Sequence, residues 1–453
     1  MTLTAEPRTI YLDSFKRHAT GNGQAWLRHL RQTGMDRFAE VGFPSAKEEE
    51  WRFTNIAPIV RTSFRPALLP PPALAEQAAR KFSFGAQAAA ELVFVNGRFC
   101  SALSRRGELP AGVRVGNLSE QTAGDSRRIE QHLGRHADVS ANPFVALNTG
   151  FIHDGAFLYL PAGTAIRRPL HLLFVSVPDD QPAVAHPRVL VVAEDGVDAT
   201  IVETYGGLGE GLYFTNAVAE IVAGAGCRLD HCRVQQETRE AFHVATMAVE
   251  LGRQTQFVSH AASIGSRIAR NDLSVLLNGE YADATLNGLV IIGGDQHVDN
   301  HTLLRHEKPN CPSHELYKHV LDGRASGVFK GKIFVQKDAQ KTNSKQTSKS
   351  LLLSEDATMN SQPALEIYAD DVKCTHGSTT GPVDEEMVFY LRTRGVSLEA
   401  ARHLLTYAFA ADITRRIRVE PVRARLEDFM AAQHDLPQDL RITDLGVHDQ
   451  AAL

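Results

Sequence analysis

The sequence has 453 residues, of which 43% are hydrophobic and 22% are charged, as in ordinary soluble globular proteins. Its formal net charge of -5 gives no general attraction to nucleic acid or to anionic lipid. No stretch approaches the roughly 18 consecutive apolar residues of a membrane-spanning helix, so no membrane segment is predicted.

The N-terminal residues 1–19 are mixed and polar and lack the apolar middle of a secretory signal. We therefore expect a cytoplasmic protein. An odd and sparse set of cysteines argues against a disulfide framework and predicts reduced thiols. These cysteines are Cys100, Cys227, Cys232, Cys311 and Cys374.

The segment 1–65 has the apolar spacing of helices, as in Trp26, Leu27 and Leu30. Prolines at 66 and 70–72 then predict a stiff connector. The length suggests roughly three domains. The first is predicted to be an N-terminal helical domain with its proline-rich connector, residues 1–90.

From residue 91 to residue 380, short β-rich runs are separated by glycine or acidic turns. Turn glycines recur at positions 196, 224, 252 and 279. Their nearly constant period of about 28 residues indicates stacked repeats, and each unit has room for two short strands and no helix. The pattern predicts a mainly β protein with a β-helix core over residues 91–380. An antiparallel sandwich, which spaces its strands similarly, is the alternative.

The last segment, residues 381–453, is predicted to be a C-terminal helical domain. Asp384 and Ser397 are positioned as caps of two helices, and Gly395 ends the first. The second helix carries an apolar stripe at a 3.6-residue period. Its members are Leu398, Ala401, Leu404, Leu405, Ala408, Phe409 and Ile413. The stripe packs either on the solenoid of the same chain or on a partner subunit, and both interpretations stay open.

Two classes of enzyme have little support in the sequence. The segment 327–333 has one residue too few for a phosphate-binding loop, and Ile333 replaces the hydroxyl side chain that would hold magnesium. The chain alone is therefore not expected to hydrolyse ATP. Some β-helix proteins cleave polysaccharides with paired carboxylates, but Asp370 and Asp371 are adjacent and would point to opposite faces of a strand.

Two groups of polar residues each have a structural and a functional interpretation. Five histidines and a thiol between 297 and 319 would suit zinc or iron, but their spacing matches no recognised zinc module. Histidines that hydrogen-bond along the solenoid are the favoured interpretation. Lysines recur at 337, 341, 345 and 349, and a solvated face is favoured over a basic helix.

Cys374 and His376 form the sharpest local motif. On a strand, residues two apart leave the same face, roughly 6–7 Å apart along the chain. A thiolate and an imidazole are both good iron ligands, and two ligands could supply half of a site that a second chain completes. The alternative is a buried thiol beside a surface histidine.

Several segments resemble signatures of the SufB/SufD family of iron–sulfur cluster assembly proteins. An N-terminal signature is similar to residues 43–54, and the resemblance is densest over residues 300–410. The matching segments there are 317–332, 339–342, 351–354, 365–377 and 389–395. Gly377 stands where SufB-like chains carry a glutamate, so the chain is more similar to the SufD branch.

The resemblance implies a right-handed parallel β-helix core flanked by helical domains. It further implies a non-catalytic scaffold that pairs with SufB through the end of the solenoid and docks the ATPase SufC on its C-terminal helices. His376, with Cys374 beside it, would then face a transient iron–sulfur cluster shared with the partner. The docking contacts are predicted at Leu398, Leu405 and Phe409. Reduced flavin is associated with such complexes, and the chain is a candidate homodimer when its partners are missing.

Two alternative functions remain. A SufB-like subunit would itself carry the main cluster site. A carbohydrate-active β-helix enzyme would need a cleft with clustered carboxylates.

Overall fold

The computed structural model describes residues 7–18 and 24–433. The described chain is a solenoid of parallel strands with helical regions before and after it. The helices are α1 Pro7–His18, α2 Ala25–Val41, α3 Ala57–Arg61, α4 Pro72–Phe82, α5 Leu118–Gly124, α6 Ser126–His132, α7 Pro143–Gly150, α8 Glu385–Arg392, α9 Leu398–Thr414 and α10 Glu420–Gln433.

The strands are short. They are β1 Arg65–Pro66, β2 Ala90–Val95, β3 Arg98–Phe99, β4 Arg105–Arg106, β5 Arg114–Asn117, β6 Ala156–Leu160, β7 Ala165–Ser176, β8 Ala183–Ala185, β9 Arg188–Ala193, β10 Asp198–Gly207, β11 Tyr213–Ala223, β12 Arg228–Gln236, β13 Phe242–Leu251, β14 Gln256–Ser263, β15 Ile268–Leu277, β16 Asp283–Ile292, β17 His297–His306, β18 Pro312–Leu321, β19 Ser326–Val335, β20 Asn343–Leu352, β21 Thr358–Ile367 and β22 Lys373–Gly381.

From β9 to β22, successive strands alternate between two sheets, and each strand pairs in parallel with the strand two positions later. One sheet runs from β5 to β21 and the other from β3 to β22. Each coil of the chain therefore adds one strand to each sheet. The prediction of a parallel β-helix is confirmed, and the antiparallel sandwich is wrong because these strands pair in parallel.

The predicted turn glycines stack on one another at one edge of the solenoid. A Cβ atom added to Gly252 would lie 2.7 Å from the carbonyl carbon of Gly224, and one added to Gly279 would lie 2.1 Å from the nitrogen of Arg253. Successive turns approach so closely that a side chain has no room. This contact explains why the sequence repeats glycine at the length of one coil.

The N-terminal end of the solenoid is closed. There β5 pairs antiparallel with β6, and the short strands β3 and β4 pair antiparallel with β2. Helices α5, α6 and α7 also lie near this end, within residues 91–380, which the sequence pattern predicted to be a β-helix without helices. Ile129 of α6 and Leu133, directly after it, contact the early strands.

An N-terminal segment around Trp51 is fixed to the outer face of the sheet that contains β15 and β17. The guanidinium of Arg270 lies 3.8 Å from the centre of the Trp51 ring and donates to the carbonyl oxygen of Glu50 at 2.5 Å. The same guanidinium donates to Asp299 at 2.8 Å, and the Thr54 hydroxyl donates to Asp299 at 2.6 Å. The resembling segment 43–54 thus has a structural role, because it joins the N-terminal region to the middle of the solenoid.

His301 extends this network with two carboxylates. Its ring nitrogens lie 3.0 Å from Asp299 and 3.2 Å from Glu50. Burial alone would lower the pKa of His301, but Asp299 and Glu50 raise it to about 9. The His301 hydrogen bond holds the pKa of Glu50 at about 2. The three groups are therefore charged together at neutral pH.

We expect the raised pKa of His301 to make stability depend on alkaline pH. A histidine with a folded pKa above its unfolded value stabilises fully below about pH 6.5, and the contribution disappears as pH rises through 9. The free energy of unfolding should fall by about 2–3 kcal/mol between pH 6.5 and pH 9.5. Urea unfolding of the wild type and of His301→Gln at both pH values measures the effect. An equal pH dependence in the two proteins would contradict it.

The C-terminal helices pack on the outer face of the other sheet. Asp384 caps α8 by accepting from two backbone N–H groups, and Ser397 caps α9 by accepting from that of Ala400, as predicted. The α9 helix buries Tyr407 and Ala410 against the solenoid. None of the helices among the described residues is long and apolar enough to cross a membrane.

Candidate functional site

The C-terminal end of the solenoid is formed by the last coil, β21 and β22. Among the described residues, β21 pairs only with β19 and β22 only with β20. Each strand therefore has one edge whose backbone N–H and C=O groups have no neighbouring strand. Such an edge is a template for pairing with another chain.

Cys374 and His376 lie on β22 and share a face, as predicted. Cys374 is in register with Ser344 of β20, and His376 is in register with Gln346. Because Ser344 and Gln346 are buried inside the solenoid, the face that Cys374 and His376 share is the inner one. Their coil is the last, so His376 is exposed and Cys374 only half-buried.

The two side chains differ in environment. Cys374 packs against the apolar core of the solenoid, and burial raises the pKa of its thiol. The thiol is therefore protonated at neutral pH, and a metal that binds it must displace the proton. His376 stands in the open mouth of the solenoid.

Below this rim, the inner face of β20 and β18 is polar. The Gln346 amide donates to Glu315 at 2.6 Å, and both residues are almost fully buried. Burial raises the pKa of Glu315 to about 7. Sequence reasoning missed both residues, although their inward position follows once the strand register is known.

The histidine-rich segment does not converge. His297 and His301 face outward on β17, whereas His306 faces inward on the same strand. Each bonds to a neighbouring side chain: His297 to Ser326 at 2.6 Å, His301 to Asp299, and His306 to Ser313 at 3.1 Å. These three histidines therefore hydrogen-bond along the solenoid, as the favoured interpretation predicted. No group of three or more histidine, cysteine, aspartate or glutamate side chains in residues 7–18 and 24–433 is arranged to hold a metal ion.

The lysine series lies on a strand and its preceding turn. Lys345 and Lys349 are exposed on β20, which confirms the solvated face, and Lys341 forms an ion pair with Asp371. Asp370 and Asp371 are exposed in the turn before β22.

The residues predicted to contact a partner lie along α9. Leu398 is 42% exposed. Leu405 is half-buried against Val388 and Ala401 of the same chain, and Phe409 is half-buried beneath the ammonium of Lys318, 4.5 Å from its ring centre. Apolar side chains of α8 are also exposed. They are Met387, Phe389 and Tyr390.

The fold and the site define a class: a β-helix protein with helical regions at both ends and a thiol–imidazole pair on an open terminal coil. The family model described as "SUF system FeS cluster assembly, SufBD core domain" matches residues 175–409, and that described as "SufBD protein N-terminal region" matches residues 7–172. The chain belongs to the SufBD family of iron–sulfur cluster assembly proteins.

Several relatives are similar over nearly their whole length. An iron-sulfur cluster assembly SufBD family protein of Synechocystis is 32% identical over 91% of this chain and 92% of its own. The iron-sulfur cluster assembly protein SufD of Escherichia coli is 29% identical over 91% and 93%. The protein of the same name from Bacillus subtilis is 26% identical over 92% and 95%.

Proposed function

We propose that this chain is a SufD-type, non-catalytic scaffold subunit of a cytoplasmic SUF machine. It pairs with a SufB-type subunit through the open end of its solenoid and docks a SufC-type ATPase on its C-terminal helices. The observation that carries the proposal is the terminal coil, where unpaired strand edges and the pair Cys374 and His376 occur together.

The asymmetry of the solenoid supports pairing at this end. Antiparallel strands cover the N-terminal coil, whereas β21 and β22 present free edges among the described residues. A second chain that adds strands there brings its own side chains to the mouth of the solenoid. Cys374 and His376 fill two positions of an iron coordination sphere, and the partner supplies the others. When SufB is missing, the same edges make a homodimer the expected substitute.

The chemistry of the pair fits a transient iron–sulfur cluster as cargo. The exposed imidazole of His376 is the accessible ligand. Cys374 is a second, slower ligand because its proton must leave first. We propose that reduced flavin binds in the assembled complex. The glycine-rich residues 206–211 of this chain lie at the end of β10 and not in the strand–turn–helix cradle of dinucleotide sites.

One prediction of the proposed function concerns His376. Replacing it by alanine should lower the cluster yield of the co-purified complex about tenfold or more, because an accessible ligand is lost. Anaerobic iron and sulfide analysis measures the yield, and gel filtration checks that the complex still assembles. Thr375→Ala is the matched control, since Thr375 is one residue away on the outer face. Normal yield in His376→Ala would count against the assigned role.

Another prediction of the proposed function concerns the ATPase. Leu398→Asp should weaken capture of the ATPase by about 10–100-fold, because burying a leucine contributes about 1.5–3 kcal/mol and a carboxylate reverses that gain. Titration of the ATPase against the immobilised chain measures the affinity. Val41→Asp alters an exposed apolar side chain of α2 and should bind normally. Leu405 and Phe409 stay predicted contacts through their exposed parts.

Two outcomes separate the alternative functions. Reconstitution of a stable cluster on the chain without partners would favour a SufB-like subunit. Activity on a polysaccharide would favour a carbohydrate-active enzyme, although the exposed Asp371 is already paired with Lys341. Robust ATP hydrolysis by the purified chain would refute the non-catalytic assignment.

A further inference from the structure

The buried residues directly beneath His376 form a chain of polar groups. Glu315 of β18, Gln346 of β20 and His376 of β22 occupy one register position in three successive coils. Neighbouring strands of a sheet lie about 4.8 Å apart. The backbone of His376 therefore lies directly above that of Gln346, and an inward-turned imidazole is within reach of the Gln346 amide.

The amide of Gln346 has a fixed orientation. Its Nε2 donates to Oε2 of Glu315 at 2.6 Å. This nitrogen also occupies space that Gly331 leaves on the opposite sheet, since a Cβ atom on Gly331 would lie 2.1 Å from it. The hydrogen bond to Glu315 and the space left by Gly331 thus hold the nitrogen in place, and the amide oxygen is fixed as a consequence.

That oxygen, Oε1 of Gln346, is buried and has no hydrogen-bond partner among the described residues. A buried acceptor without a partner costs about 1–3 kcal/mol. A hydrogen bond donated to this oxygen would therefore be stabilising. The nearest coil above it carries His376, whose neutral imidazole has one N–H to donate. Histidines that bind metals generally donate their second nitrogen to a carbonyl or carboxylate group, and this bond fixes the tautomer and the ring orientation.

We propose that Gln346 is a positioning residue for His376. Its amide oxygen, which has no partner in the structure, accepts the imidazole N–H when the exposed His376 ring turns inward, so that the lone pair of the other ring nitrogen points out of the solenoid toward the cluster. Glu315 acts one step further back by holding the amide of Gln346. The inference rests on the proposed function, because it presupposes that His376 is a ligand.

The test measures the tautomer of His376 in the full-length, metal-free chain. The nitrogen chemical shifts of ¹⁵N-labelled histidines distinguish the two tautomers, and the signal missing from His376→Gln identifies the residue. We expect one tautomer in the wild type and a mixture of both in Gln346→Met, which keeps the length of the side chain but has no amide. Gln346→Glu retains an acceptor oxygen and should restore a single tautomer. A structural role alone would not produce this pattern.

Two results would overturn the proposal. The first is a mixture of tautomers in the wild type. The second is an unchanged single tautomer in Gln346→Met, which is expected if a buried water hydrogen-bonds to the amide oxygen of the wild type. If Gln346→Met does not fold, the shorter Gln346→Leu, which also has no amide, provides the same comparison. In the assembled complex, Gln346→Met should bind ferrous iron about tenfold more weakly. Normal cluster yield in His376→Ala would instead contradict the proposed function and leave the tautomer result standing.

Discussion

Replacing Arg188 by methionine is expected to lower the free energy of unfolding by about 3–5 kcal/mol. Arg188 and Glu220 are both fully buried and form an ion pair where β9 meets β11. The guanidinium also donates to Asn148 at 3.1 Å and to Thr149 at 3.2 Å, both on α7. Methionine fills much of the volume but leaves the carboxylate of Glu220 without its counter-charge.

Protonation of Glu220 would remove its unpaired charge only at a further cost in stability. Burial alone would raise its pKa, but the charge of Arg188 and backbone N–H groups hold the pKa below its usual value. The donors are those of Gly134 at 2.9 Å, His136 at 2.9 Å and Ala137 at 3.1 Å. Loss of the arginine therefore loosens the loop after α6 together with α7. Both belong to the closed end of the solenoid.

Urea unfolding, followed by circular dichroism, measures the loss. Arg324→Met is the control, because Arg324 and Asp295 form an arginine–carboxylate ion pair on the surface, at 2.7 Å. That pair is 71% and 69% exposed, and we expect no resolvable change. Equal behaviour of the two variants would show that the buried pair contributes no more than the exposed one.

The coiled part of the fold was predictable because one physical constraint acts locally and repeats. Every turn must let the next turn stack on it, so glycine returns at 224, 252 and 279. Parallel pairing then follows, because consecutive units of nearly equal length lie in register. The helix caps at Asp384 and Ser397 were predictable for a similar reason, since a cap and its N–H donors lie close together in the sequence.

The closed end and the N-terminal attachment could not be predicted in the same way. Glu220 accepts from backbone N–H groups of residues 134–137, more than 80 residues before it, and Arg270 contacts the Trp51 segment from a still more distant part of the chain. No local period relates such pairs, and each residue alone resembles an ordinary surface charge or core aromatic. The register of the strands decides which of them meet.

The candidate site contains residues that the sequence could predict and residues that it could not. Cys374 and His376 were recognised because they are two positions apart on one strand, so their common face needs no tertiary information. Gln346 and Glu315 lie one coil and two coils before His376, and only the stacking of coils places them beneath it. The coils differ in length, so the sequence period alone does not fix which side chains form one column. Only the observed register aligns Glu315, Gln346 and His376.

Replacing Arg270 by methionine should detach the segment around Trp51 from the solenoid. The guanidinium is almost fully buried and contacts the Trp51 ring, the Glu50 carbonyl oxygen and the carboxylates of Asp272 and Asp299. Its loss leaves the buried Asp299 with less counter-charge, so we expect about 3–5 kcal/mol of destabilisation. The charge of His301 compensates only in part, because Glu50 competes for it.

We expect faster amide hydrogen exchange in one segment as well as a lower free energy of unfolding of the whole chain. Amide hydrogen exchange of residues 43–54 should accelerate more than that of β15, because the attachment opens before the solenoid unfolds. Arg305→Met is the control: Arg305 lies over the Phe334 ring at 5.5 Å and is 45% exposed, so we expect less than about 1 kcal/mol. If residues 43–54 stay protected in Arg270→Met, aromatic packing alone holds the segment, and the charged network is not what joins the N-terminal region to the solenoid.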